Sequence, residues 1–161
     1  MMDSGRSSGG PVMSRLSIFP DRLENGEAPA PLPGLVSNDA ATIRSELAQR
    51  GIRFEQWPAD HALPEGAAQQ EILDAYAAEI ERLCAEEGYI TVDAIRMTPD
   101  HPDRLALRSK FLAEHTHAED EVRFFVEGQG LFSLHIGTEV LVTLCERGDL
   151  IGVPAGTRHW F

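Results

Sequence analysis

From residue 121 onward the chain is written in short apolar runs, each broken by glycine or proline. RFFVEG, GLFSLHIG, EVLVTLCERG and DLIGVPAG succeed one another in this way. Runs so short, repeating every roughly 8–12 residues, favour strands over helices. Strands on this rhythm pair antiparallel and close into a barrel or sandwich. Side chains two residues apart then share a face.

The upstream part reads differently. Residues 1–12 are rich in Gly and Ser and read as a disordered leader. Met13 opens MSRLSIF, whose alternation predicts a strand, and Pro20, Pro29, Pro31 and Pro33 mark the loop that follows. Ser37-Asn38-Asp39 supplies N-caps for a helix over about 38–50, closed by Gly51. IRFEQW, residues 52–57, reads as a strand. Ile72, Leu73, Tyr76, Ile80, Leu83 and Cys84 recur at helical spacing, which predicts a helix over 68–87 stopped by Gly88. That stripe reads as core packing. Asp100-His101-Pro102 opens a further helix over 102–110. The expectation is one domain over 13–161, with a helical N-terminal part and a β-barrel mainly over 111–161.

Charge narrows the function. The chain carries 14 Lys and Arg against 26 Asp and Glu, a formal charge of −12. That disfavours nucleic acid as a partner, because phosphates are held by Lys and Arg. It also disfavours an anionic membrane surface. No apolar run approaches the roughly 18 residues of a spanning helix, and the opening stretch has no signal-peptide core. Cys84 and Cys145 lie far apart and read as small buried hydrophobes rather than a disulfide framework. A cytoplasmic protein is expected.

The chemistry concentrates in His115-Thr116-His117-Ala118-Glu119-Asp120-Glu121. In extended chain His115 and His117 project from one face, and Glu121 follows four residues later. His159 lies 42 residues beyond His117, after the turn-forming Pro154-Ala155-Gly156. In a meander of short strands that separation brings a later strand back beside the first. Three imidazoles and one carboxylate make a ligand set for Fe, Ni, Mn, Cu or Zn, and no cysteine lies nearby to suggest a structural zinc. An octahedral ion held by four protein atoms keeps two positions open. Glu119 and Asp120 read as solvated, and His61, His101 and His135 lie outside the constellation.

The stretches Glu121 to Gly128 and Gly148 to His159 resemble the two motifs of the cupin superfamily. Ser109 stands where the pattern usually has glycine, and the late asparagine of the second motif would fall beyond Phe161. MTPDHPDRLALRSKF, KFLAEHTHAEDEVRFFVEGQG and CERGDLIGVPAGTRHWF together are similar to the bacterial acireductone dioxygenases, and MSRLSIFPD fits that family's start. The resemblance implies a mainly β fold, a cupin barrel with flanking N-terminal helices. The family continues beyond the His-Trp-Phe segment, so it also implies a chain cut short at Phe161.

The resemblance further implies a metal-dependent dioxygenase of methionine salvage, with one Fe(II) or Ni(II) per chain held by His115, His117, Glu121 and His159. Its substrates would be the acireductone 1,2-dihydroxy-3-keto-5-methylthiopentene and O2. The iron form would give formate and 4-methylthio-2-oxobutanoate. The nickel form would give formate, carbon monoxide and 3-methylthiopropanoate. A monomer is expected. Alternation puts Arg123 on the face of Glu121, where a guanidinium could stabilise an enediolate; a surface salt bridge is the plainer alternative. Phe111 and Phe161 are expected to wall the substrate pocket, and Glu114 to orient a ligand or accept a proton. A cupin that binds metal or a small ligand without turnover, and another cupin oxygenase or isomerase, share the same ligand set.

Overall fold

The first strand follows its pattern: Leu16 and Ile18 turn inward and are buried, while Arg15 lies exposed. A computed structural model describes residues 14–20, 33–89, 92–95, 100 and 102–161. The expected leader over 1–12, Met13 and His101 lie outside the described residues. In chain order the elements are β1 (Arg15–Pro20), β2 (Leu35–Ser37), α1 (Ala40–Ala48), β3 (Arg53–Gln56), α2 (Gln69–Ala75), α3 (Ala77–Glu87), α4 (Arg104–Leu112), β4 (Glu121–Phe124), β5 (Gln129–Ile136), β6 (Glu139–Glu146), β7 (Asp149–Val153) and β8 (Arg158–Trp160).

Contacts divide the chain into two units. One comprises the residues up to Ala59 and from Arg108 onward; the other runs Asp60–Leu107. The first unit holds two antiparallel sheets. One runs β2-β1-β6-β5-β8 and the other β3-β7-β4. The barrel therefore recruits β1, β2 and β3 from the first third of the chain. β1 lies between β2 and β6, and β3 flanks β7. Inward faces of both sheets, with Ile43 and Leu47 of α1, form one buried cluster that includes Phe54, Phe132, Leu134, Leu141 and Ile151. β7 is buried along its whole length because it is the central strand of its sheet. α1 is capped by Asp39, whose carboxylate accepts from the Thr42 N–H at 2.9 Å and its hydroxyl at 2.7 Å.

One buried carboxylate ties the strand ends together. Asp149 accepts from the Ser14 hydroxyl at 2.5 Å, the Gln56 amide at 3.1 Å and the Glu146 N–H at 2.9 Å. It joins the chain entering β1, the end of β3 and the β6–β7 turn.

In the second unit the stretch expected as one helix over 68–87 is two. Tyr76 adopts φ −106° and ψ 22°, outside the helical well, and separates α2 from α3. Tyr76 and Leu83 are buried, and Gly88 closes α3 in the left-handed conformation with its N–H on the Cys84 carbonyl. His61, outside the metal constellation, lies 2.8 Å from the Glu79 carboxylate and holds it below the usual carboxylate range.

Candidate metal centre

β8 is only three residues long, yet it is held on both sides. Leu134 of β5 stands opposite His159, and across the other edge His115 forms an isolated antiparallel bridge with His159. A directly opposed pair points its side chains to one face. The imidazoles of His115 and His159 therefore meet, with ring centroids 4.5 Å apart. His117, two residues along, joins them at 4.9 Å from His115 and 5.1 Å from His159. One ligand nitrogen from each of the three lies within 4.8 Å of the others.

Backbone carbonyls set which nitrogen each ring offers. His115 Nδ1 lies 2.7 Å from the Ala113 carbonyl, and His159 Nδ1 lies 2.8 Å from the Thr157 carbonyl. A carbonyl only accepts, so Nδ1 carries the proton and Nε2 presents its lone pair. The turn before β8 is fastened to the same motif. Gly156, at φ 79°, donates its N–H to the His117 carbonyl at 2.9 Å, and the Ala155 N–H donates to Asp120 at 2.8 Å. Asp120 is exposed, as its phase predicts, but it is anchored across 35 residues.

Glu121 opens β4 in the other sheet, opposite Val153 of β7. Its Oε2 lies 3.3 Å from His117 Nε2 and 3.4 Å from His159 Nε2. Its Oε1 is gripped at 2.5 Å by Arg123, whose Nε and Nη2 both reach it. Oε2 is buried, and no hydrogen-bond donor among the described residues satisfies it. A buried carboxylate oxygen left this way is costly. The three imidazoles lie close enough together to hold one ion, and the Glu121 carboxylate lies against two of them, a donor set of the kind a divalent cation takes. The residues present fit such an ion.

The remaining expected residues fall in two places. Phe111 and Phe161 come together: the Phe161 N–H donates to the Phe111 carbonyl at 2.7 Å, their rings stand perpendicular at 6.5 Å, and the Phe161 ring lies 5.5 Å from that of Phe132. Glu114 does not join the histidines. Alternation turns it to the opposite face from His115, where its oxygens lie 3.4 Å from His135 Nδ1 and 3.4 Å from Arg158 Nη1. There Glu114 joins the segment of His115 to β5 and β8. Phe132 was not singled out from sequence. Its ring stacks on the His159 imidazole at 5.5 Å and 18°, and its only sequence signal is its phase two residues before Leu134.

A family model described as the ARD/ARD′ family matches residues 36–161. An acireductone dioxygenase from Parasynechococcus marenigrum (strain WH8102) is 72% identical over 149 residues, covering 92% of this chain and 80% of that protein. One from Prochlorococcus marinus (strain MIT 9303) is 64% identical over the same shares. Among solved structures, an acireductone dioxygenase from Bacillus anthracis with a cadmium ion in its active centre superposes with a TM-score of 0.76 at 27% identity, covering 92% of this chain and 84% of that one. With the antiparallel sheets described above, that match gives this chain the cupin fold.

Proposed function

This chain belongs to the ARD/ARD′ family, and from that premise we propose that it is a metal-dependent dioxygenase cleaving an acireductone with O2. His115, His117, His159 and Glu121 would hold one divalent ion, Fe(II) or Ni(II). Such an ion would supply a Lewis-acidic centre able to take the oxygens of a chelating enediolate. The observation that carries this reading is the buried Glu121 Oε2, unsatisfied and facing two imidazole nitrogens.

The chain's own groups divide the remaining work. The hydrogen bonds from Nδ1 to Ala113 and Thr157 keep two rings in the tautomer that can ligate. Arg123 holds Glu121 so that Oε2 faces inward, and its guanidinium places positive charge beside the enediolate. Phe111 and Phe161 offer an apolar wall to the substrate's methylthioethyl tail. We take the enzyme to act as a monomer in the cytoplasm, in keeping with the free thiols Cys84 and Cys145. Among the described residues no helix is long and apolar enough to cross a membrane.

The test is anaerobic mixing of Fe-loaded, Ni-loaded and metal-free protein with the acireductone, then admission of air. Enediolate absorbance should decay only with metal, with formate from both forms and carbon monoxide from the nickel form. Decay no faster than in the metal-free control overturns the reading.

A further inference from the structure

The inner face of β5 reads Gly130, Phe132, Leu134 along one phase of the strand. Leu134 stands opposite His159, and Phe132 stacks on its imidazole. Gly130, next in the row, has no side chain, and the space is taken by others. A Cβ there would meet Phe161 Cζ at 2.4 Å, Phe161 Cε2 at 2.6 Å and Phe125 Cε1 at 2.9 Å. Real Cβ atoms do not approach carbon so closely, so the Phe161 ring occupies the place where every other residue would put a side chain. Its ring centroid lies 5.5 Å from Phe132 and 6.2 Å from Phe125.

We propose that Gly130 is a specificity-determining residue: its missing side chain forms a notch that seats Phe161 back against β5 and so leaves room beside the histidines for a long apolar substrate tail. This rests on the reading of the chain as an acireductone dioxygenase. Gly130 is not among the glycines with positive φ, so alanine fits the backbone and its effect comes from the added methyl alone. That methyl meets the Phe161 and Phe125 rings and displaces Phe161 from its seat on β5. The tail loses space, and the ligands lose nothing. Gly130 touches neither metal nor enediolate; it acts by placing Phe161.

The test compares wild type with Gly130→Ala on two acireductones, one with a 2-methylthioethyl tail and one with a methyl tail. The metal content of Gly130→Ala should equal that of wild type. Its preference for the long tail, as a ratio of kcat/KM values, should fall about tenfold or more, the scale of lost fit in an apolar pocket. The double variant Gly130→Ala/Phe161→Leu should recover much of that preference. In metal-free wild type, nuclear Overhauser contacts should join the Gly130 Hα to the Phe161 ring, a readout independent of turnover. An unchanged tail preference, equal losses on both substrates, or absence of those contacts overturns the proposal. A metal-loaded wild type that turns over neither substrate overturns the underlying reading instead, and the proposal with it.

Discussion

The backbones of His115 and His159 donate to each other, N–H to carbonyl, at 3.0 Å in both directions. Residues far apart in sequence are thereby set directly opposite, with both imidazoles on one face. The spacing between these two imidazoles is set by peptide groups rather than by contacts between side chains. Geometry of this kind exists before any ion arrives, so the ordering cost falls on folding and not on binding.

His117 is the most exposed of the three, its side chain 47% accessible, and it belongs to no strand. His117→Ala should leave the metal-free protein's unfolding midpoint within the range of a surface change, about 0.5 kcal/mol. Metal affinity should fall by at least about a hundredfold, since a ligand and not only its support is lost. Metal retained per chain after dialysis checks this; stoichiometric metal in the variant removes His117 from the ligand set.

How much of this was legible beforehand follows from distance along the chain. The His-x-His pair and Glu121 are local in sequence, and their spacing alone marks them as one set, while the pairing of His115 with His159 comes from the fold. Alternation also marks Arg15–Pro20 as a strand, but nothing local says that it lies between β2 and β6. Ser14 and Asp149 hydrogen-bond across 135 residues, and neither carries a pattern that names the other. Glu114 is a different case. Its adjacency to a ligand suggested a role at the ion, while the same alternation that aims His115 inward turns Glu114 away. The split of the 68–87 stretch at Tyr76 left no mark in the hydrophobic spacing, because the apolar phase continues through the kink.

Arg123 is expected to act twice. It holds Glu121 Oε1 at 2.5 Å, and under the proposed function its guanidinium would also face the chelated enediolate. Arg123→Ala should weaken metal binding about tenfold by freeing the carboxylate. It should lower kcat by roughly 10²–10³ through loss of charge stabilisation. Arg123→Lys should restore metal affinity less than charge alone suggests, because ammonium cannot reproduce the two-nitrogen grip. Metal titration and steady-state kinetics on saturated enzyme separate the two effects; unchanged kcat at full occupancy would place Arg123 outside the reaction.

Asp149 tests the fold without touching the centre. Asp149→Ala leaves the Ser14 hydroxyl, the Gln56 amide and the Glu146 N–H without their buried acceptor. Each unpaired donor is penalised, and the set should cost about 2–4 kcal/mol. The urea midpoint should drop with little change in slope. A midpoint equal to wild type would mean that water replaces the carboxylate at no cost.

Glu146 lies beside that knot with the opposite sign. Burial raises its pKa first, the Asp149 charge raises it further, and the Ser14 N–H opposes both. The folded chain therefore keeps the Glu146 proton in a window where the unfolded chain, near pKa ~4.3, has already released it. In that window the native state binds more protons, so stability falls as pH rises from the unfolded pKa through the folded one. Above the window the full penalty remains. Glu146→Gln removes the charge and keeps an oxygen that can accept from Ser14. It should stabilise the protein at pH 7 by about 0.5 kcal/mol, the scale of a partly solvated charge interaction. The gain should shrink toward zero below pH 4. Urea unfolding of both proteins from pH 4 to pH 7 gives the difference directly. A Gln variant less stable at pH 7 would mean that the Ser14 contact, and not repulsion from Asp149, governs this carboxylate.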